Sequence, residues 1–227
     1  MPSPEQIDLA AAFRLAAHFG FHEGICNHFS VALSDGSYLL NPHGIHWSKL
    51  SATDLLTIEP SAVPQSAELT ALNIHGAIHQ ACEQAQCVLH THMPYATALT
   101  CLDPGRLLFV HQNSLRFWDD VAYDEIYNGL ADTPAEGQRI ATAMDSKRVL
   151  FLANHGVIVT GKNVAEAFDR LYYLERACEV QILAMSTGQT LREVGPNLAA
   201  KTRNEFDTCG DYSKQHFEAL KALLTPL

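Results

Sequence analysis

Two histidines separated by one residue, His90 and His92, stand at the end of the apolar run of residues 87–94. Side chains two positions apart on a β-strand point to the same face of a sheet, so a strand here directs both imidazoles to one side. A third histidine, His155, lies in an Asn-His-Gly segment between two further apolar runs. Three neutral imidazoles are a good ligand set for zinc or a similar divalent cation.

Three histidines on strand ends would hold a cation from one side and leave a coordination position open for a substrate, as catalytic metal sites require. The alternative is a purely structural role, in which the same side chains only line a core or a sheet edge. A short His-x-His pattern is weak evidence for metal binding by itself. The sequence therefore predicts a metal site that depends on whether the three imidazoles converge.

The segment of residues 24–30, Gly-Ile-Cys-Asn-His-Phe-Ser, connects a predicted helix to a predicted strand. Its small and polar residues could bind an anionic ligand or a substrate, and Asn27, His28 and Ser30 are the candidates. An ordinary helix-to-strand turn is the commoner explanation of such a segment, because a single glycine is no phosphate-binding fingerprint.

Carboxylate chemistry has one candidate, Glu68, which stands seven residues before His75 and could act as a general acid or base on the same helix face. A solvated glutamate at a helix start is the commoner explanation. His75 and His79 have the i, i+4 spacing of a metal-binding pair, but without a third donor nearby they are better explained as a hydrogen-bonded helix face.

Helix caps and apolar periodicity predict the elements that position these side chains. Residues 30–33 and 37–40 form a predicted hairpin around Ser-Asp-Gly, so the sheet begins antiparallel. We predict helices over residues 3–18, 67–84, from 133 onward, 163–188 and 212–224, and further strands at residues 90–92, 148–152 and 157–160.

The composition limits the classes of function. The chain has 227 residues and a formal net charge of −10, and it lacks the clustered Lys and Arg that phosphate backbones require, so we expect no nucleic-acid partner. No apolar stretch reaches membrane-spanning length and the N-terminus does not read as a signal peptide, so we expect no membrane association. The six cysteines show no paired short spacing, which favours reduced thiols and a cytoplasmic location.

Residues 89–98, Leu-His-Thr-His-Met-Pro-Tyr-Ala-Thr-Ala, and residues 154–159, Asn-His-Gly-Val-Ile-Val, resemble two blocks of the class II aldolase/adducin family in order and separation. The Ala-Glu-Ala-Phe of residues 165–168 continues the resemblance, which covers most of the chain up to about residue 190.

This resemblance implies an α/β fold, a three-layer α/β/α sandwich with a central, mainly antiparallel sheet. It implies a single domain over residues 1–227, in which residues 191–227 are a C-terminal extension, and a homotetramer with sites near subunit boundaries. It also implies that His90, His92 and His155 bind a divalent metal, zinc first and manganese or another divalent ion second. A small carbonyl compound is then the expected substrate.

The chain departs from the sugar-phosphate aldolases of that family at two places. They carry a Glu, their acid/base, at the position of Ala71, and Glu68 could replace it only with a displaced helix entry; a Tyr or His of a neighbouring subunit is an equal alternative. Their anion loop, Thr-Ser-Gly-Asn-x-Ser, here reads Ile-Cys-Asn-His-Phe-Ser, which resembles the Asn-His variant of the adducin-like branch. Ala32 also stands where an Arg is usual. A non-phosphorylated substrate is expected.

The expected activity is that of an aldolase-type lyase that makes or breaks a C–C bond next to a carbonyl through a metal-stabilised enolate. One alternative is a metal-dependent decarboxylase of a keto or hydroxyaromatic acid, since loss of carbon dioxide leaves the same kind of anion. The other is a non-catalytic, adducin-like interaction module.

Overall fold

Seven short strands form one sheet in this protein, whose structure is a computed structural model that describes residues 1–59 and 64–224. The strands are β1 (His28–Ala32), β2 (Tyr38–Leu40), β3 (Leu56–Ile58), β4 (Cys87–Thr91), β5 (Val121–Asp124), β6 (Val149–Leu152) and β7 (Gly156–Gly161). Their order across the sheet is β3-β2-β1-β4-β7-β6-β5, and every neighbouring pair is antiparallel except β5 and β6. The predicted mainly antiparallel sheet is confirmed.

Helices cover both faces of the sheet. They are α1 (Pro4–Phe19), α2 (Leu69–Ala81), α3 (Pro94–Thr100), α4 (Pro134–Met144), α5 (Val164–Met185), α6 (Pro196–Asp207) and α7 (Tyr212–Lys221). The first begins as its capping residues predict, because Ser3 and Gln6 hydrogen bond to each other's main-chain N–H groups. Within the described ranges, no helix has the length and apolarity needed to cross a membrane.

Alternation along the central strands separates the two layers of the core. Phe29 and Leu89, paired across β1 and β4, belong to the larger apolar cluster, which packs against α1 and α5. Their neighbour Val88 belongs to a second cluster that includes Ile74 of α2 and Ile140 of α4. Because successive side chains of a strand lie on opposite faces of the sheet, the register of the pairing determines which layer each strand residue faces. The three-layer α/β/α arrangement is confirmed.

The helix predicted over residues 67–84 begins later than expected. Glu68 has an extended backbone (φ −82°, ψ 134°) and its carboxylate caps α2, which runs from Leu69 to Ala81. The prediction that places Glu68 on the helix face with His75 is therefore wrong: a side chain that caps the helix is held at its start by the free N–H groups of the first turn.

The C-terminal region holds a helix that apolar periodicity did not predict. Helix α6 starts with Pro196, lacks a side-chain cap and buries a single residue, Ala199. A helix that is so exposed carries little apolar pattern. The final helix, α7, follows the prediction and places Phe217 in the larger cluster, with its ring centroid 5.7 Å from that of Phe168. Residues 225–227 of the predicted extension lie outside the described residues.

Helices α2 and α4 approach each other at a glycine, which gives a test of this packing. A Cβ on Gly137 of α4 would lie 2.2 Å from the main-chain oxygen of Asn73, whereas a Cβ on Gly76 of α2 would meet only the Tyr38 hydroxyl, at 3.7 Å. We expect Gly137→Ala to lower the free energy of unfolding by about 1–3 kcal/mol, as overpacking does. The matched Gly76→Ala should raise it by roughly 0.5–1 kcal/mol, since alanine favours helix. Urea unfolding measures both, and equal effects would contradict the packing.

Candidate metal centre

The three candidate histidines converge at the end of the sheet where β4 and β7 lie side by side. His90 is inside β4 and His92 follows the strand directly, while the pairing of Thr91 with Val157 brings the start of β7 against this end. His155 stands in the tight turn that joins β6 to β7. Asn154 in that turn has φ 55°, a left-handed conformation that asparagine adopts more readily than most residues.

The distances within this cluster suit a shared ligand. The ring centroid of His155 lies 4.8 Å from those of both His90 and His92, which are themselves 5.1 Å apart. One ring nitrogen of each residue lies within 4.8 Å of the other two. A tetrahedral cation with bonds of about 2.0–2.1 Å needs such nitrogens roughly 3.4 Å apart, a difference that small ring rotations cover.

Two of these histidines are held by hydrogen bonds at Nδ1. His90 donates to the Val157 carbonyl oxygen at 3.0 Å, and His92 donates to the Glu23 carboxylate at 2.6 Å. A neutral imidazole that donates from Nδ1 keeps a lone pair on Nε2. Among the described residues, the buried Nε2 of His92 has no partner. The donor set therefore fits a metal ion, whose histidine ligands characteristically donate their other N–H to a carboxylate or a carbonyl.

Burial keeps the rings of His155 and His90 neutral, as metal ligation requires. It lowers the pKa of His155 to about 4, with a further lowering by His92 that Asp124 and Glu23 oppose. The pKa of His90 is also lowered well below its usual value, by burial first and then by the neighbouring histidines.

Gly156, next to His155, makes room for the cluster. A Cβ at this position would lie 2.5 Å from the Thr91 main-chain oxygen and 2.8 Å from Cδ2 of His92. Any larger residue would therefore displace a candidate ligand or separate β7 from β4. The glycine of the Asn-His-Gly segment is thus required by packing.

A second histidine cluster, which we call the buried histidine chain, lies beside the first and comprises His28, His75, Ser30 and His79. Along it, His28 Nδ1 is 2.7 Å from His75 Nε2, and the Ser30 hydroxyl is 2.5 Å from His75 Nδ1 and 2.7 Å from His79 Nε2. His79 Nδ1 ends the chain 2.8 Å from the Ala85 carbonyl oxygen. His28 pairs with His90 across β1 and β4, and their ring centroids are 4.8 Å apart.

The carboxylate of Glu68 lies at the open end of this chain. Its Oε2 is 4.0 Å from Nε2 of His28, and it accepts hydrogen bonds from the Thr70 hydroxyl at 2.5 Å and the Ala71 N–H at 2.9 Å. Burial opposes ionisation of Glu68, but these hydrogen bonds outweigh it and lower its pKa overall. Glu68 is therefore an ionised helix cap near the cluster, which makes it a poor proton donor.

Two of the predicted binding residues, Asn27 and Ser30, already make contacts within the protein. The Ser30 hydroxyl is fully buried and bonded within the histidine chain, so it has no face for an anion. The buried Asn27 accepts a hydrogen bond from the Glu23 main-chain N–H at 2.7 Å, which ties down the residue that orients His92. Glu23 was not identified from the sequence. It lies 69 residues before its partner His92, and nothing in the local pattern around Glu23 marks it as a hydrogen-bond acceptor for a distant histidine.

Comparison with known protein families identifies related proteins. The model of the Class II Aldolase and Adducin N-terminal domain matches residues 7–182. A protein of Pseudomonas aeruginosa that is named provisionally as an aldolase class 2 protein is 31% identical over 88% of this chain and 78% of its own length.

Solved structures show the same fold. An aldolase II superfamily protein from Pseudomonas syringae is similar with a TM-score of 0.89 and 31% identity, over 98% of this chain and 94% of its own. The L-fuculose 1-phosphate aldolase of Glaciozyma antarctica is similar with a TM-score of 0.83 and 25% identity, over 96% of this chain and 89% of its own.

Orientation of His92 by Glu23 can be tested directly. The Glu23 side chain is 68% exposed, so Glu23→Ala should leave the fold intact. Loss of the acceptor for the Nδ1–H group should weaken zinc affinity about 10- to 100-fold, the usual effect of removing such a partner. Competition with a chromogenic chelator measures this affinity. Glu83→Ala, another exposed glutamate, is the control, and equal affinity in the two variants would contradict the assignment.

Acid should destabilise the metal-free protein through its buried histidines. Burial lowers the pKa of His79 to about 4 and that of His28 to about 3, from 6.5 for an exposed ring. Between about pH 6.5 and pH 4 the unfolded chain binds more protons, so stability falls as pH falls. Each such histidine costs on the order of 2 kcal/mol by pH 5. Urea unfolding across this pH range should show that the free energy of unfolding of His79→Gln falls less steeply with decreasing pH than that of the natural protein. An unchanged slope would contradict a buried, neutral His79.

Proposed function

Because the chain belongs to the class II aldolase and adducin family, we propose that it is a divalent-metal-dependent lyase of the aldolase type, which makes or breaks a carbon–carbon bond next to a carbonyl group. The observation that carries this proposal is the convergence of three imidazoles whose ring nitrogens lie within 4.8 Å of one another. A small hydroxy-carbonyl compound is the proposed substrate class.

The proposed ligands are His90, His92 and His155, and the proposed metal is zinc, which three imidazole nitrogens suit well. Manganese or another divalent ion is the second choice. When bound, the cation would supply Lewis-acid stabilisation of the negative charge that develops on substrate oxygens. The protein's own contribution is to hold the rings through the Val157 carbonyl and the Glu23 carboxylate.

We propose that the substrate is not phosphorylated. A phosphate needs several hydrogen-bond donors or positive charges. The Ser30 hydroxyl is committed to histidines, and Ala32 stands where an arginine would help. The L-fuculose 1-phosphate aldolase has a similar fold, but the loop here supports a substrate without the phosphate.

Decarboxylation of a keto or hydroxyaromatic acid is the second candidate, and the environment of Ala71 favours it. Ala71 stands where the sugar-phosphate aldolases that the chain resembles carry their glutamate acid/base, and its methyl group is buried in an apolar cluster with Leu40 and Ile58. Loss of carbon dioxide needs no base to remove a hydroxyl proton, so the missing carboxylate would matter less. An adducin-like interaction module is the non-catalytic alternative, and the free Nε2 of His92 argues for a metal-binding protein instead.

We propose further that the protein is a homotetramer of the cytoplasm. Exposed apolar residues support the assembly: Ile126, Tyr127 and Leu130 are exposed in one segment. This segment lies beside the candidate metal site, because the ring centroid of Tyr127 is 6.4 Å from that of His155. Such a patch beside a site is typical of a subunit boundary. The six cysteines are all free thiols, which supports a reducing compartment.

Metal content tests the proposal first. We expect purified protein to carry about one equivalent of zinc or manganese by elemental analysis, and His92→Ala to lose it while keeping its circular dichroism spectrum. The exposed His43 serves for a control variant, His43→Ala, which should retain the metal. Stoichiometric metal in His92→Ala would contradict the ligand assignment, and none in the natural protein would favour the interaction module.

A substrate panel then separates the two activities. Hydroxy-carbonyl compounds and keto acids, each with and without phosphate, are assayed for release of aldehyde and of carbon dioxide. Aldehyde release from a non-phosphorylated compound is the expected result. Carbon dioxide release without aldehyde would establish the decarboxylase, and a strong preference for phosphorylated compounds would contradict the proposed substrate class.

A further inference from the structure

With all three rings neutral, the buried histidine chain has a single consistent arrangement of protons. Its far end is the Ala85 carbonyl oxygen, which can only accept, so His79 must donate from Nδ1 and accept at Nε2. The Ser30 hydroxyl therefore donates to His79 and accepts from Nδ1 of His75. It follows that His75 accepts at Nε2 from Nδ1–H of His28.

The last ring of the chain is thereby fixed in one tautomer. A neutral His28 that donates from Nδ1 carries an unprotonated Nε2, which has no hydrogen-bond partner among the described residues and lies 4.0 Å from the Glu68 carboxylate. The ring is only 3% exposed and, over residues 1–59 and 64–224, no acceptor lies within hydrogen-bond distance of its Nε2, an environment that disfavours a charged ring. The position of a main-chain oxygen four hydrogen bonds away thus determines what His28 presents beside the candidate metal ligands.

The surroundings of this Nε2 select the kind of group that can approach it. A lone pair accepts a hydrogen bond only from a donor, so a deprotonated anion gains nothing from Nε2 whatever cation lies nearby, and the ionised carboxylate adds repulsion. In the described part of the chain, the carboxylate of Glu68 forms no ion pair with a lysine or an arginine. An ammonium group would also be repelled by a divalent cation held at His90, which leaves a neutral hydroxyl as the best complement.

We propose that the buried histidine chain holds His28 as a hydrogen-bond acceptor that selects a substrate with a free hydroxyl group at this position, in place of a phosphate or a carboxylate. This inference rests on the proposed function, because it specifies the substrate of the same site. Ser30, His75 and His79 are positioning residues, since they act through His28.

Nitrogen-15 NMR of the histidine rings in the metal-free protein tests the tautomer. The two-bond nitrogen–proton pattern distinguishes Nδ1–H from Nε2–H rings, and the His28 signals are assigned by their loss in His28→Gln. We expect a pure Nδ1–H form of His28 in the natural protein and a mixture of both forms in Ser30→Ala, where the chain is broken. Ser114→Ala removes another fully buried hydroxyl, bonded to the His111 carbonyl, and should leave the pattern unchanged. An Nε2–H form in the natural protein overturns the proposal.

Ligand selection is tested with zinc-loaded protein and three hydroxamates, which bind zinc through the same two oxygens. Glycolohydroxamate adds a hydroxyl to acetohydroxamate, and malonomonohydroxamate adds a carboxylate. By calorimetry we expect glycolohydroxamate to bind about tenfold more tightly than acetohydroxamate, as one additional hydrogen bond can give, and the carboxylate compound no more tightly. Ser30→Ala should reduce the preference for the hydroxyl, and Ser114→Ala should not.

Equal binding of the three compounds, or tighter binding of the carboxylate, overturns the proposal. Failure of the natural protein to take up zinc or to bind acetohydroxamate instead contradicts the metal site of the proposed function. In that case the NMR pattern alone decides the tautomer of His28, so the two failures are distinguishable.

Discussion

The antiparallel pairing of β4 between β1 and β7 is the constraint on which the rest of this structure depends. This pairing sets His28 opposite His90 on one side of β4 and Thr91 opposite Val157 on the other. Histidines from three distant parts of the chain therefore lie at the same end of the sheet. A register shift of one residue would turn every one of these side chains to the opposite layer. Burial on both faces of the sheet opposes such a shift. The shift would turn His90 toward the larger apolar cluster and Leu89 toward the layer that now holds the histidines.

The interior beside this end of the sheet is unusually polar, and main-chain carbonyl groups make that tolerable. Buried polar groups are costly unless they are hydrogen bonded. The Val157 carbonyl accepts from His90, and the Ala85 carbonyl accepts from His79 at the end of the histidine chain. The Val157 carbonyl fixes the ring of His90 alone, whereas the Ala85 carbonyl fixes His79 and, through Ser30, the rings that follow it in the histidine chain. Both groups of histidines are therefore each anchored to the backbone at one point.

Much of the fold and the three candidate ligands could be predicted from the sequence, because caps, periodicity and the His-x-His and Asn-His-Gly patterns are local signals. The start of α2 could not, since Glu68 fits a helix interior and a helix cap equally well by type. Helix α6 was missed because only Ala199 is buried, and β3 because three residues carry too little alternation. Glu23 and the link from Ser30 to His79 depend on tertiary contacts that leave no periodic trace in the chain.

The anchoring of the histidine chain at Ala85 extends the site beyond any residue that a ligand could touch. The loop after α2 positions this carbonyl, and Ala85 contributes a methyl group to the second apolar cluster. A survey of relatives that compares only ligand-contacting positions would overlook this loop. A change in the length or path of this loop would alter which protons the histidine chain presents at His28 while every histidine stays in place.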